Sequence, residues 1–201
     1  MSGRSPTSLR IGRITLALLG LVAPALAPLL RAAPRATASA IDTDTATAAY
    51  LLNFVRFTGW PANMQPTTTA EPFVIGVSGS RTLLDALIRL VEGQQVRSHP
   101  VHIVRLKDVG DLAACHLAFL GPTPDSDCMG VPIPAALKAL KGKPVLTVST
   151  AEDFLAYGGL VQLYSDDSLL RFDIAVETAR ATGLVLNSRL LALARPVPYR
   201  P

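Results

Sequence analysis

Aromatic side chains are scarce in this chain, at 5% of 201 residues, and so are the side chains from which most active sites are assembled. There are three histidines (His99, His102, His116) and two cysteines (Cys115, Cys128). Two Cys without a matching His spacing make no zinc site, so no metal is expected. No Walker loop, metal triad or dinucleotide fingerprint occurs, and no cofactor is expected. The nearest approach to a catalytic motif is GVSGS (Gly76–Ser80), where Ser80 stands in place of the closing Gly of a nucleophile elbow. Its simpler reading is a strand-to-helix turn in which Ser78 or Ser80 caps the helix. The free N–H groups of that turn make Ser78, Gly79, Ser80 and Arg81 a candidate site for a small anion.

Acidic residues are missing before Asp42. The same region carries Arg4, Arg10 and Arg13, then an uncharged run from Ile14 to Leu30, then Ala38-Ser39-Ala40. That order is a secretory signal peptide, residues 1–40, with cleavage expected after Ala40. The alternative is an uncleaved anchor, but seventeen residues lie at the lower limit for a span, and Gly20, Pro24 and Pro28 interrupt them. No Cys directly follows the run, which argues against a lipid anchor, and no Arg pair precedes it, which favours the general secretion route. The localisation expected is periplasmic. Five of the 19 basic residues lie before Ile41, leaving fourteen against fifteen acids and a net charge of −1. The basic character therefore belongs to the signal, and no nucleic-acid partner is expected.

An exported chain meets an oxidising compartment, so Cys115 and Cys128 read as a disulfide, with two buried thiols as the alternative. A bridge of this loop size stabilises by roughly 3 kcal/mol.

Residues 41–195 are one domain's length, and 196–201, Pro-rich, read as a frayed tail. A helix capped by Thr43 or Asp44 runs to about Gly59 and stops at Trp60-Pro61. Strands are expected at Phe73–Val77, Val101–Leu106, Cys115–Gly121 and Pro144–Ser149, with helical spacing between them. This is an α/β layered sandwich, a mixed, largely parallel sheet with helices on both faces. GGLVQLYSDDSLLRFDI (Gly158–Ile174) adds a C-terminal antiparallel hairpin. A turn at Asp166-Asp167 pairs Leu163 with Leu170 and Val161 with Phe172 on the apolar face, and Gln162 with Arg171 on the other.

Three stretches taken together point further. AAYLLNFVRFTGWP (Ala48–Pro61), CHLAFLG (Cys115–Gly121) and VLTVSTAEDFLAYGGLVQLYSDDSLLRFDIAVETARATGLVLNSRLLALA (Val145–Ala194) resemble, in that order, the YfiR-type periplasmic regulators. The likeness covers about Ala46 to Ala194. It implies a non-enzymatic repressor that binds the periplasmic segment of an inner-membrane diguanylate cyclase and holds cyclic di-GMP production low. A membrane histidine kinase is the other target the resemblance offers. In the opening helix Tyr50, Phe54 and Phe57 form one apolar stripe, and Leu51, Val55 and Thr58 a second. The plain reading buries both stripes between the sheet and a later helix. The sharper one gives the second to a homodimer or to the target, with Tyr50, Asn53, Arg56, Trp60, Arg171 and Asp173 as the recognition residues. On that reading Arg56 lies over the Trp60 indole. A receptor for a small ligand, feeding a membrane kinase, is the alternative function, and a hydrolase built on Ser78 the third.

Overall fold

The computed structural model describes residues 35–121, 130–167 and 169–195, with side chains from Thr43 onward. The expected signal segment up to Pro34, Cys128, Ser168 and the tail Pro196–Pro201 lie outside the described residues. Helix α1 (Arg35–Phe57) starts earlier than its expected cap at Thr43 or Asp44. Neither Gly nor Pro occurs between Arg35 and Phe57, so nothing local halts the helix upstream. Among the described residues no helix is long and apolar enough to cross a membrane.

After α1 come the short β1 (Thr58–Gly59), β2 (Phe73–Ser78), α2 (Arg81–Val91), β3 (Gln95–Val96), β4 (His99–Arg105) and β5 (Leu117–Leu120). Then follow α3 (Ile133–Leu140), β6 (Leu146–Ser149), β7 (Val161–Asp166), β8 (Leu169–Ile174), α4 (Val176–Ala181), β9 (Val185–Leu186) and α5 (Ser188–Leu193). Seven strands form one sheet in the order β3-β4-β2-β5-β6-β7-β8, while β1 and β9 pair apart from it. The five central strands are parallel, and β3 and β8 are antiparallel to their neighbours. The α/β sandwich expected from the alternation of strand and helix is the fold observed.

Alternation within the strands divides the core in two. Phe73, Ile75, Val77, Leu117, Phe119, Leu146, Val148, Val161, Leu163, Phe172 and Ile174 face α1 and α2. Ala118, Leu120 and the half-buried Val74 and Val104 face α3 and the 3-10 segment Val109–Ala114. On this second face a Cβ at Gly76 would come within 2.7 Å of Leu106 and 2.8 Å of the Cys115 sulfur. Glycine there lets Leu106 and Cys115 lie flat on the sheet.

The hairpin is present but slipped by two residues from the expected register. Leu163 pairs with Phe172, Val161 with Ile174, Gln162 with Asp173 and Tyr164 with Arg171. The last pair before the turn is Asp166 with Leu169, and Asp167 adopts φ +47°, the left-handed conformation a tight hairpin turn requires. Because the slip is even, the apolar face is conserved.

Candidate functional site

The second apolar stripe of α1 is packed inside the molecule. Leu51 and Val55 are fully buried and Phe54 lies between them, so the plain reading of this helix holds. The Tyr50 hydroxyl donates to the Leu170 carbonyl at 2.9 Å, and its ring packs edge-on to Phe172 at 5.7 Å. Asn53 and Arg56 are exposed, and the Arg56 guanidinium donates to the Gln94 side-chain oxygen at 3.0 Å.

Trp60 does not meet Arg56. The helix ends at Phe57, so the four-residue spacing no longer places the two on one face. Trp60 is 3% exposed, and its indole N–H donates to the His116 carbonyl at 3.2 Å. The exposed end of α1 is held instead by Arg97, whose guanidinium donates to the Thr58 carbonyl at 2.8 Å and the Arg56 carbonyl at 3.4 Å. Arg97 and Ser98 make the β3–β4 turn with φ +51° and +67°, an uncommon conformation for residues other than glycine. The Arg97 contacts with the end of α1 offset part of that strain.

His116, which sequence reasoning left without a role, sits at the centre of an aromatic cluster with Trp60 and Phe73. Its Nδ1 accepts the Val74 N–H at 3.0 Å, and Nε2 lies 2.7 Å from the Met64 carbonyl, to which it must donate. That pairing fixes the neutral tautomer with the proton on Nε2. Burial lowers its pKa below the ordinary histidine value, with the Met64 bond partly opposing.

Arg171 and Asp173 lie on one side of β8, yet each has its own partner. Arg171 pairs with Asp166 at 2.8 Å in solvent. Asp173 is buried and takes Arg195 in a two-point clasp, at 2.7 and 3.2 Å. The same guanidinium lies 4.8 Å from the centre of the Tyr164 ring. Asp173 is thus a structural anchor for the end of the described chain and offers no free carboxylate.

The strand-to-helix turn Ser78–Arg81 is occupied by its own backbone. Ser78 is buried and its hydroxyl accepts the Val131 N–H at 2.8 Å. Gly79 carries φ +79°, and Ser80 caps α2 by accepting the Leu83 N–H at 3.2 Å. Arg81 is exposed. This is where the carboxyl ends of β2 and β5 diverge, the usual ligand position in a doubly wound sheet. Here Gly130 fills it, since a Cβ on Gly130 would sit 2.5 Å from the Ser78 hydroxyl and 2.9 Å from the Gly79 nitrogen. Space opens next to it, on the α3 side, as a cavity of about 980 Å³ lined by Phe154, Leu137 and Lys138 among others.

Cys115 is wholly buried with its Sγ 3.5 Å from the Asp111 carbonyl. Burial, and secondarily the nearby Asp111 charge, pushes this thiol up to about 12. The expected bridge reaches Cys128 and so lies outside the described residues. Among the described residues no three His, Cys, Asp or Glu side chains are placed to hold a metal.

Of the six residues expected to serve recognition, the structure brings Asn53 and Arg56 together on one exposed strip with Gln94. It sets Arg171 on a different element and turns Tyr50, Trp60 and Asp173 to structural use. A family model described as YfiR/HmsC-like matches residues 44–195, from within α1 through the whole of the sheet to the end of the described chain. Among curated proteins none matches the chain.

Proposed function

Because the chain belongs to the YfiR/HmsC-like family, we propose that it is an exported periplasmic regulator that binds and represses the outer segment of an inner-membrane signalling enzyme, with a diguanylate cyclase as the leading target. The family match carries this reading. The Arg-rich, apolar, Ala-Ser-Ala order at the N-terminus supports export and cleavage after Ala40. Repression requires tighter binding to the quiet state of the target than to the active one, since equal affinity shifts nothing.

The strip of Asn53 and Arg56 beside Gln94 is the surface we assign to the target. These side chains are exposed on a helix whose other faces are packed, so nothing in the core calls for them. A second copy of the chain is the other partner this strip fits. We also propose the Cys115–Cys128 bridge in the exported form. Mass analysis without reductant should find the mature chain two hydrogens light, and two freely alkylated thiols would reject it.

Cellular cyclic di-GMP tests the function. Deleting the gene should raise it, and adding back wild type should restore it. Arg56→Glu, checked for fold by circular dichroism, should fail to restore it. Unchanged cyclic di-GMP on deletion rejects the cyclase as target. Full restoration by Arg56→Glu moves the working surface elsewhere.

A small-ligand receptor feeding a membrane kinase is the second reading, and the cavity beside α3 favours it. The turn Ser78–Arg81, by contrast, has its hydroxyls engaged and lends a hydrolase no support.

A further inference from the structure

We propose that the hollow between α3 and the Glu152–Gly158 turn is a binding site for a small apolar anion, a carboxylate carrying an aliphatic or aromatic body. The site does not depend on which membrane protein is the target.

Three observations converge on it. The first is shape. The cavity measures about 980 Å³, at the upper end of the range in which small ligands bury most of their surface. The second is its floor. Leu137, Val145, Phe154 and Leu160 line it. Phe154 is fully buried, and its ring lies on the backbone of Gly159, where any Cβ would overlap it. The floor is therefore set before a ligand arrives, which reduces the ordering cost of binding.

The third is charge. Lys138, Lys141 and Lys143 all line the hollow and are all exposed, against one lining acid among the described residues, Glu152. Among the described residues none of the three lysines has an ion-pair partner. Lys138 alone is what the last turn of α3 calls for to balance its dipole. Lys141 and Lys143 lie past the helix, on either side of Gly142, whose φ of +75° folds the chain back. They bring positive charge to the mouth of an apolar cavity, and among the described residues neither pairs with an acid. Tyr157, 71% exposed, stands at the same mouth with its ring unpacked. The half-buried Ile133 and Leu137 and the exposed Tyr157 ring reward a greasy body, and a cationic lip rewards a carboxylate left near water.

The mature chain, residues 41–201, is titrated calorimetrically with dodecanoate and with 2-naphthoate. Dodecanol and 2-naphthol serve as uncharged counterparts. At least one carboxylate should bind at one site, with its alcohol about tenfold weaker or worse. Amide shifts should concentrate at Tyr157–Leu160 and Leu137–Lys143. The triple variant Lys138→Gln/Lys141→Gln/Lys143→Gln should keep its melting temperature and lose about tenfold in affinity. If that variant does not fold, Lys143→Gln alone and the decline of affinity with added salt read the same charge dependence. Preference for dodecanoate assigns an acyl chain, and preference for naphthoate an aromatic acid. The proposal is overturned if neither carboxylate binds, if an alcohol binds as tightly as its acid, or if affinity ignores both lysine charge and salt.

Discussion

The two edges of the seven-stranded sheet are treated in opposite ways. At one edge, β8 turns the backbone groups of Leu170 and Phe172 outward, and both carbonyls are taken. Leu170 accepts the Tyr50 hydroxyl at 2.9 Å, and Phe172 accepts the Arg195 N–H at 3.2 Å. Arg195 also forms a parallel bridge with Asp173 and clasps its carboxylate. At the other edge, β3 covers only His99 and Pro100 of β4. The Leu106 N–H donates to the Val77 carbonyl, which turns His102 and Val104 toward β2 and leaves Val101 and Ile103 facing outward. Among the described residues no strand pairs with that outward edge. An open strand edge is a template for another chain, and proteins usually blunt it. The difference accounts for where three conspicuous residues are engaged within the fold. Tyr50 and Asp173 are spent on closing one edge, and Trp60 lies in the core at the head of the sheet.

Amide hydrogen exchange gives the largest contrast expected. Val101 and Ile103 should exchange orders of magnitude faster than His102 and Val104 on the same strand, because only the latter pair faces β2. Equal protection of all four would mean that something covers β4 and would erase the comparison.

Next in size is the clasp. Asp173→Ala removes a buried carboxylate with two hydrogen bonds to Arg195. Urea unfolding should show a loss of about 1–3 kcal/mol, since bonds to charged groups are worth more than neutral ones and Arg195 itself remains hydrated. Exchange at Ile174 should quicken with it. A loss confined to a few tenths would show that the edge is sealed without the clasp.

These contacts mark where the sequence stops being informative. Strands rich in Val, Leu and Phe were legible from apolar runs bounded by Gly and Pro, and their positions stand within a residue or two. The pairs β1–β9 and β3–β4 were not, because a two-residue strand shows no alternation to detect. The hairpin register slipped because Asp166-Asp167 and Asp167-Ser168 are equally polar. Only the left-handed Asp167 distinguishes them. For the site the limit is different. A sequence displays a tyrosine, a tryptophan and an aspartate, but not that Leu170, His116 and Arg195 are their partners, up to 120 residues away. The exposure of Asn53 and Arg56 was legible because they interrupt an apolar helix.

A smaller effect is expected from acid, in the middle of the sheet rather than at its edges. His116 must stay neutral, since a proton on Nδ1 would face the Val74 N–H. Its folded pKa lies below the ordinary 6.5, so the unfolded chain binds more protons between the two values. The stabilisation is whole above about pH 6.5 and is lost as pH falls from there toward the folded value. Glu71 and Asp111 have lowered pKa values too, from 4.5 and 3.8, through backbone hydrogen bonds, so their losses begin at more acid pH. Unfolding free energy measured from pH 7 to 5 should decline, and His116→Asn should flatten that slope. A slope unchanged in the variant would assign it to another group.

Tyr50→Phe should have the least effect. It removes the hydroxyl that closes the Leu170 carbonyl and keeps the ring against Phe54 and Phe172, at 6.0 and 5.7 Å. The carbonyl lies at an edge where water can replace the lost donor, so the cost should be about 1 kcal/mol or less. Arg171→Ala, which breaks only a solvated ion pair on the same strand, is the matching control and should fall within about 0.5 kcal/mol of wild type. Combining Tyr50→Phe with Asp173→Ala then asks whether the two seals act as one. They hold carbonyls two residues apart and share Phe172 as a packing neighbour, so a coupling above about 0.5 kcal/mol is expected. Strict additivity would make them two independent local contacts, and the closed edge would lose its standing as a single element to set against the open one.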